Sequence, residues 1–446
     1  RGRSTERTHV SSTQDPPAEA GRLRGHLRLP GAVALAITVV VGSGALVLPG
    51  IVYGRVGEAA LYTWIAASAA AVPLLIVFAR LGAAHPGAGG VAGFAQAAFG
   101  RHAAAGMEVL ALGTFGLGIP AIALTGANYL TALPGLQAVP ATAAAAALLA
   151  GAAGVVAAGV NLSTRVQVVL ALVLTVMLLV IGVLAVGSGE PVRHLPPLEP
   201  EAVVTGVLVI GAVFFAFTGW EMLSFTTEEY ADPERDFPRV VVISFAIVVV
   251  MYLLLALGVQ TLLARDDGDA LAAPVGALVA EAVSPGAAGV VAVLGVVIIA
   301  ANLIGAVWGA SRLVMSSARE GLLPRPLARL GGSAQPRRAV AAALAGFLAV
   351  LAANGMGLLS LAELLTIAGQ NFFLMYLVCA AAYARLFRGG HRVFGAAVTA
   401  VLGGVAVFSF GPWQLAYCAA LLSAGAGVWA LRSRRVSRTP RTGGRS

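Results

Sequence analysis

The sequence predicts an all-α integral membrane protein of about twelve transmembrane helices. Three observations carry this. Of the 446 residues, 59% are hydrophobic and only 11% charged, against about 25% charged in a soluble domain, which is too few to cover a water-facing surface. The apolar residues come in long blocks without charge, such as Ala34–Val41, Ala59–Ala79 and Val166–Val186, and about 20 apolar residues suffice to cross a bilayer as a helix. The alternating ten-residue segments of a membrane β-barrel are absent.

Taken in order, residues 1–29 are rich in Arg, Ser, Thr and Pro and read as a disordered cytosolic tail. No removable leader is expected before residue 30. Residues 30–431 form the transmembrane domain, with spans near 31–52, 58–79, 104–130, 136–158, 165–187, 203–227, 238–263, 286–312, 338–353, 357–384, 392–409 and 412–431. The divisions between the third and fourth spans, and between the last two, are the least marked. Residues 432–446 read as a basic cytosolic tail.

The formal net charge is +9 and every basic residue is Arg. A basic balance can signal nucleic acid, but these arginines sit at span ends and in the tails, which predicts membrane orientation and no nucleic-acid partner. Arg80, Arg101, Arg165, Arg235, Arg239, Arg319, Arg325, Arg337, Arg338, Arg385 and Arg388 fall on the side of the two termini, and Arg55, Arg193 and Arg265 on the other. The positive-inside rule then places both termini in the cytosol. Cys379 and Cys418 both lie within spans, without metal-ligand spacing, and read as small apolar fillers.

Three connections hold more than linker sequence. Residues 80–103 contain His85-Pro86-Gly87-Ala88-Gly89-Gly90 and an amphipathic segment ending Phe99-Gly100. Residues 228–238 carry Asp232-Pro233-Glu234-Arg235-Asp236-Phe237-Pro238. Residues 264–285 are acidic and punctuated by Pro and Gly, suited to covering an external vestibule.

Spans one and six each carry a glycine-interrupted break, the pattern that points to inverted repeats and a midplane binding site. The first is Gly42-Ser43-Gly44, followed by Pro49-Gly50. Its small residues serve either close helix packing or an unwound turn whose freed N–H groups need a partner where water is absent. An anionic group at the start of the next half-helix would be that partner. The second is Phe214-Phe215-Ala216-Phe217-Thr218-Gly219-Trp220-Glu221. It reads either as an aromatic packing stripe or as a break whose carbonyls accept from an ammonium group. Glu221 lies inside a predicted span, so it is a functional candidate by position; a structural ion pair with an Arg is the other reading. Asn128, Asn302, Gln370 and Asn371 also fall inside spans and must find hydrogen bonds there. Asn128, Asn302 and Trp308 are possible pocket residues. No Walker motif, dinucleotide fingerprint, zinc-spaced His/Cys set or nucleophile elbow is present, so neither an enzyme nor a metal site is expected.

These motifs resemble those of the amino acid–polyamine–organocation (APC) transporter superfamily along nearly the whole membrane region. Gly42 to Pro49 is similar to its first-span signature, and Pro86 to Phe94 with Phe99-Gly100 to its first cytosolic loop. Phe214 to Glu221 followed by Asp232 to Arg239, and Ser311-Arg312-Leu313 followed by Arg319 to Pro324, are similar to its sixth- and eighth-span motifs. Ile119-Pro120-Ala121 and Phe372 to Cys379 look most like the bacterial methionine and branched-chain amino-acid exporters within it.

The resemblance implies a five-plus-five inverted-repeat (LeuT-like) bundle with broken first and sixth helices. It implies a secondary transporter of neutral hydrophobic amino acids, working by proton-coupled export in the cell membrane, with sodium the alternative to the proton and no cofactor. An uptake permease, an exchanger, a channel and a non-transporting sensor are the alternatives. Carried over by position, Ser43 and Gly44 meet the substrate carboxylate, the backbone of Ala216 and Phe217 meets its amino group, Phe215 gates, and Glu221 is the proton-linked carboxylate; Gly42 and Gly219 are further substrate-binding candidates. Some relatives carry a Lys in span five; near that place this chain has Leu174.

Overall fold

The structure, a computed structural model, describes residues 29–84, 90–159, 164–188, 199–219, 233–329 and 335–437. Among these residues there are helices and no strands. The first predicted span is two helices, α1 (Leu29–Val40) and α2 (Ser43–Val56), and α3 (Ala60–Ala84) is the second span. A short helix, α4 (Gly90–Phe99), fills the amphipathic part of the following connection; His85 to Gly89 lie outside the described residues. Spans three to five are α5 (Arg101–Thr131), α6 (Ala141–Ala158) and α7 (Thr164–Ser188).

The sixth span begins with α8 (Pro200–Leu208) and α9 (Ile210–Val213), tightens into a 3-10 turn (Phe214–Phe217), and leaves the helix at Thr218. Residues 220–232, including Trp220, Glu221 and Asp232, lie outside the described residues. Helix α10 (Pro233–Leu262) starts five residues before the expected 238, inside the connection at 228–238. Proline is favoured in the first helical turn, where its missing N–H costs nothing.

Two short helices, α11 (Gly268–Ala272) and α12 (Pro274–Ala282), precede α13 (Pro285–Glu320), α14 (Arg337–Gly355), α15 (Leu361–Leu386), α16 (Gly390–Ser409) and α17 (Pro412–Ser437). By length and composition, nine helical stretches among the described residues can cross a membrane, and Leu172–Ser188 of α7 is a shorter apolar one.

Burial is graded across the bundle. Helix α15 is the most enclosed of the candidate spans, while α16 and α17 are the most open. Helix α7 shows how a span divides its faces. Leu174, Leu178, Ile181 and Ala185 are buried, while Val169, Leu172, Val173, Val176, Val180 and Val183 are exposed. Both sets follow the helical repeat. An exposed valine stripe of that length is a liability in water and suits a hydrocarbon surround.

Several helix starts carry their own caps. Ser284 accepts from the Ala287 amide (3.3 Å) ahead of α13. Ser360 and Glu363 form a reciprocal capping box ahead of α15, and Asp267 accepts from the Ala270 amide (2.9 Å) ahead of α11. These bonds satisfy amides that have no partner within the helix. Helix α2 starts differently. Its cap position is Gly42, and it has no side-chain capping bond.

Helices α11 and α12 pack over α2 as a cover on that helix. A Cβ at Gly50 would run into the Leu271 carbonyl, and one at Gly54 would lie 3.0 Å from Leu271 Cδ1. Only glycine permits so close an approach. Tyr129 of α5 donates to the Leu46 carbonyl of α2 (2.7 Å) and accepts from the Val275 amide of α12 (3.3 Å). Arg265 donates to the carbonyls of Gly54 and Arg55 (3.2 Å each), which caps the far end of α2 with a cation.

Candidate functional site

The site is built where the two breaks meet. Helix α1 ends with the Val41 amide bonded to the Ile37 carbonyl (2.7 Å). Gly42 follows in an extended conformation, and α2 begins at Ser43. The chain thus restarts a helix inside the bundle, with Ser43 to Gly50 all buried. A helix start carries a partial positive charge and unpaired N–H groups. The Ser43 hydroxyl is buried beside them and has no hydrogen-bond partner, an arrangement rare in a finished interior. Asn302 of α13 is next to this start, its amide nitrogen 3.5 Å from where a Gly42 Cβ would be.

The second break lies against the first. A Cβ at Gly44 would sit 3.1 Å from Ala216 Cα and 3.2 Å from its Cβ. Within the 3-10 turn, the Phe215 carbonyl accepts from the Thr218 amide (3.3 Å) and hydroxyl (2.8 Å). The Ala216 carbonyl, expected from the sequence to face a ligand ammonium, accepts from the buried Tyr252 hydroxyl of α10 (2.8 Å). One of its lone pairs is therefore taken and one remains. Gly219 has φ +106°, a conformation natural to glycine, and the path beyond it leaves the described residues.

Rings enclose the turn. Phe217 packs on Tyr252 (5.3 Å between centroids) and Trp64 (6.2 Å). Phe215 points the other way, against Gly118 of α5, where a Cβ would be 3.1 Å from its ring, and toward Phe372 of α15 (6.2 Å). Gly369 of α15 allows the same close approach, since its Cβ would meet the Gly211 carbonyl at 2.7 Å and the Phe215 amide at 3.0 Å. Three glycines on three helices thus hold the sixth span against its neighbours.

The structure brings together Gly42, Ser43, Gly44, Asn302 and Ala216, with Phe215 and Phe217 on either flank. Asn128 stands in the last turn of α5, its carbonyl accepting from Ala132 and Thr131. Trp308 is 41% exposed and carries the Arg312 guanidinium 3.7 Å above its ring, so its recorded contact is with Arg312. Leu174 is fully buried in the core. Glu221 lies outside the described residues.

Two tyrosines and one carboxylate carry more than the sequence reading gave them. Tyr129 ties α5 to α2 and to the cover, and Tyr252 holds the second break. Each is a hydroxyl in an apolar span, which must find an acceptor. Glu108, within α5, accepts from the buried Ser317 hydroxyl of α13 (3.3 Å). Its signal was a lone acid in an apolar run. Cys418 is also more than a filler, since its thiol donates to the Asn371 side chain (2.8 Å).

Comparison with known proteins agrees with this architecture. The model of a family described as amino acid permease matches residues 27–431. The chain is 30% identical to the uncharacterized amino acid permease YecA of Bacillus subtilis, over 88% of this chain and 92% of that one. It is 28% identical to the L-methionine/branched-chain amino acid exporter YjeH of Escherichia coli, over 94% and 99%. Among solved structures, MhsT in complex with L-phenylalanine superimposes with a TM-score of 0.57 at 15% identity, covering 92% of this chain and 99% of that one, a likeness of fold. With a family model spanning nearly its whole membrane region, the chain belongs to the amino acid permease family.

Proposed function

We propose that this chain is a secondary active transporter of neutral hydrophobic amino acids, of the methionine, leucine, isoleucine and valine class, working as a proton-coupled exporter in the cell membrane. The observation that carries the reading is the start of α2: a glycine cap with no side-chain capping bond and a buried serine hydroxyl without a partner, pressed against the second break. A carboxylate completes such a start, accepting from the amides of Ser43 and Gly44 and from the Ser43 hydroxyl. The α-ammonium group is then held by carbonyls at the end of the 3-10 turn, Ala216 offering its second lone pair. The substrate side chain lies toward Phe215. The neutral, aromatic character of the neighbouring side chains and the name of the Escherichia coli relative support an uncharged substrate.

In this reading the helices pair as a five-plus-five inverted repeat, both termini face the cytosol, and Glu221 carries the coupled proton, with sodium the alternative ion. Counterflow in proteoliposomes tests it. Labelled methionine, leucine, isoleucine and valine should exchange saturably and compete with one another, and an imposed pH gradient should drive accumulation. Binding without flux would make the chain a sensor, and unsaturable flux a channel. Exchange without response to pH would move the coupling to sodium.

A further inference from the structure

A cavity of about 260 Å³ lies between α5, α13, α14 and α17, and no residue of either break lines it. Its walls are apolar: Leu112, Phe115, Leu313 and Phe347 are among them, no charged side chain lines it, and the Tyr417 phenol is its one side-chain hydroxyl. Small residues make the space. A Cβ at Gly116 or at Gly346 would meet nothing within 4 Å, so both glycines face open volume. The cavity is set at mid-span. Gly113 and Gly116 stand about 18–23 Å along α5 from Arg101 at 1.5 Å per residue, and Gly346 is the midpoint of α14 (Arg337–Gly355). Gly346 is exposed while Ala343 and Phe347 beside it are buried, so the cavity opens sideways, out of the bundle.

At that depth the surrounding medium is hydrocarbon. We infer that this cavity is a binding site for one acyl chain of a membrane phospholipid, whose headgroup stays at the bilayer surface. Lateral opening, mid-membrane depth and uncharged walls fit an acyl chain, and leave no counter-charge for a headgroup or an amino acid. The site also touches the transport machinery. Phe115 lines the cavity and packs edge-on against Phe372 (6.2 Å), which packs on Phe215 of the sixth-span turn (6.2 Å). A chain in the cavity is two ring contacts from the break.

The test uses the full-length protein in nanodiscs containing a phosphatidylglycerol with a photoreactive diazirine in its acyl chain, followed by peptide mapping. Label should concentrate on residues 112–117 and 342–350, above the level on the open face of α7 at 172–184. Gly116→Leu and Gly346→Leu should each lose that excess while α7 labelling is unchanged. Thermal unfolding and counterflow of the same variants verify that they are folded. The inference is overturned if the wild type labels the cavity no more than α7, or if both filled variants keep the excess.

Discussion

Gly44 and Ala216 are in contact across the two breaks, with only 3.1 Å between Ala216 Cα and the place a side chain on Gly44 would begin. The start of one half-helix is thus pressed against the end of another. No larger residue fits at position 44 without moving the sixth-span backbone.

Gly44→Val should therefore separate the breaks. Overpacking of this kind costs about 1–3 kcal/mol, so substrate affinity should fall by roughly tenfold or more, with Gly44→Ala intermediate. Equilibrium binding of labelled leucine to purified protein measures this. Unchanged affinity in the valine variant would remove the first-span start from the site.

Ser43→Ala should split binding from stability. The hydroxyl is buried without a partner, so its removal should leave the thermal midpoint of the empty protein unchanged or slightly raised. The same change removes a donor to the bound carboxylate, worth about 1.5–3 kcal/mol. Affinity should drop roughly tenfold, and the midpoint gained on adding substrate should shrink. A lower midpoint with normal affinity would assign the hydroxyl to the fold.

Tyr252→Phe should loosen the second break. It leaves the Ala216 carbonyl without its buried donor. Interhelical hydrogen bonds in membranes are worth about 0.6–2 kcal/mol, so thermal unfolding in detergent should come a few degrees earlier. An unchanged midpoint would mean that the carbonyl finds another partner.

Tyr129→Phe should free the cover formed by α11 and α12. The bond from the Val275 amide ties the cover to α5, and the bond to the Leu46 carbonyl ties α5 to α2 beside it. A cysteine placed at Gly276, where a Cβ meets only Tyr129 at 3.9 Å, should react several-fold faster with a maleimide in the phenylalanine background, as expected when about 1 kcal/mol of local closure is lost. Equal rates would show that the seal between Gly50 and Leu271 suffices.

Glu221→Gln should abolish accumulation driven by a pH gradient while leaving counterflow of labelled leucine nearly intact, because an amide cannot carry the proton. Proteoliposomes with and without the gradient distinguish the two. Intact pH-driven accumulation in the glutamine variant would place the coupling on another group.

The first break was legible because Gly42-Ser43-Gly44 is a local signal: two poor helix formers around a serine, inside an apolar run. The cover over 264–285 was legible for a similar reason, since its acids, Pro and Gly differ from the spans around it. What was not legible depends on contacts far apart in the chain. Nothing local says that Tyr252 donates to Ala216, or that Tyr129 reaches both Leu46 and Val275. Both tyrosines announce only that a buried hydroxyl needs an acceptor. Trp308 is equally silent in sequence, since a tryptophan in a span fits a pocket as well as an exposed stack on Arg312.

The arginine from the cover that grips Gly54 and Arg55 gives α2 two ends with different masters. In the proposed reading one terminus takes the substrate carboxylate at the crossing of the breaks, and the other is fastened by Arg265 to the segment packed on it. Any event that tilts this single fourteen-residue segment must be felt at both, so whatever docks below and whatever unfastens above are bound to report to each other through one short piece of backbone.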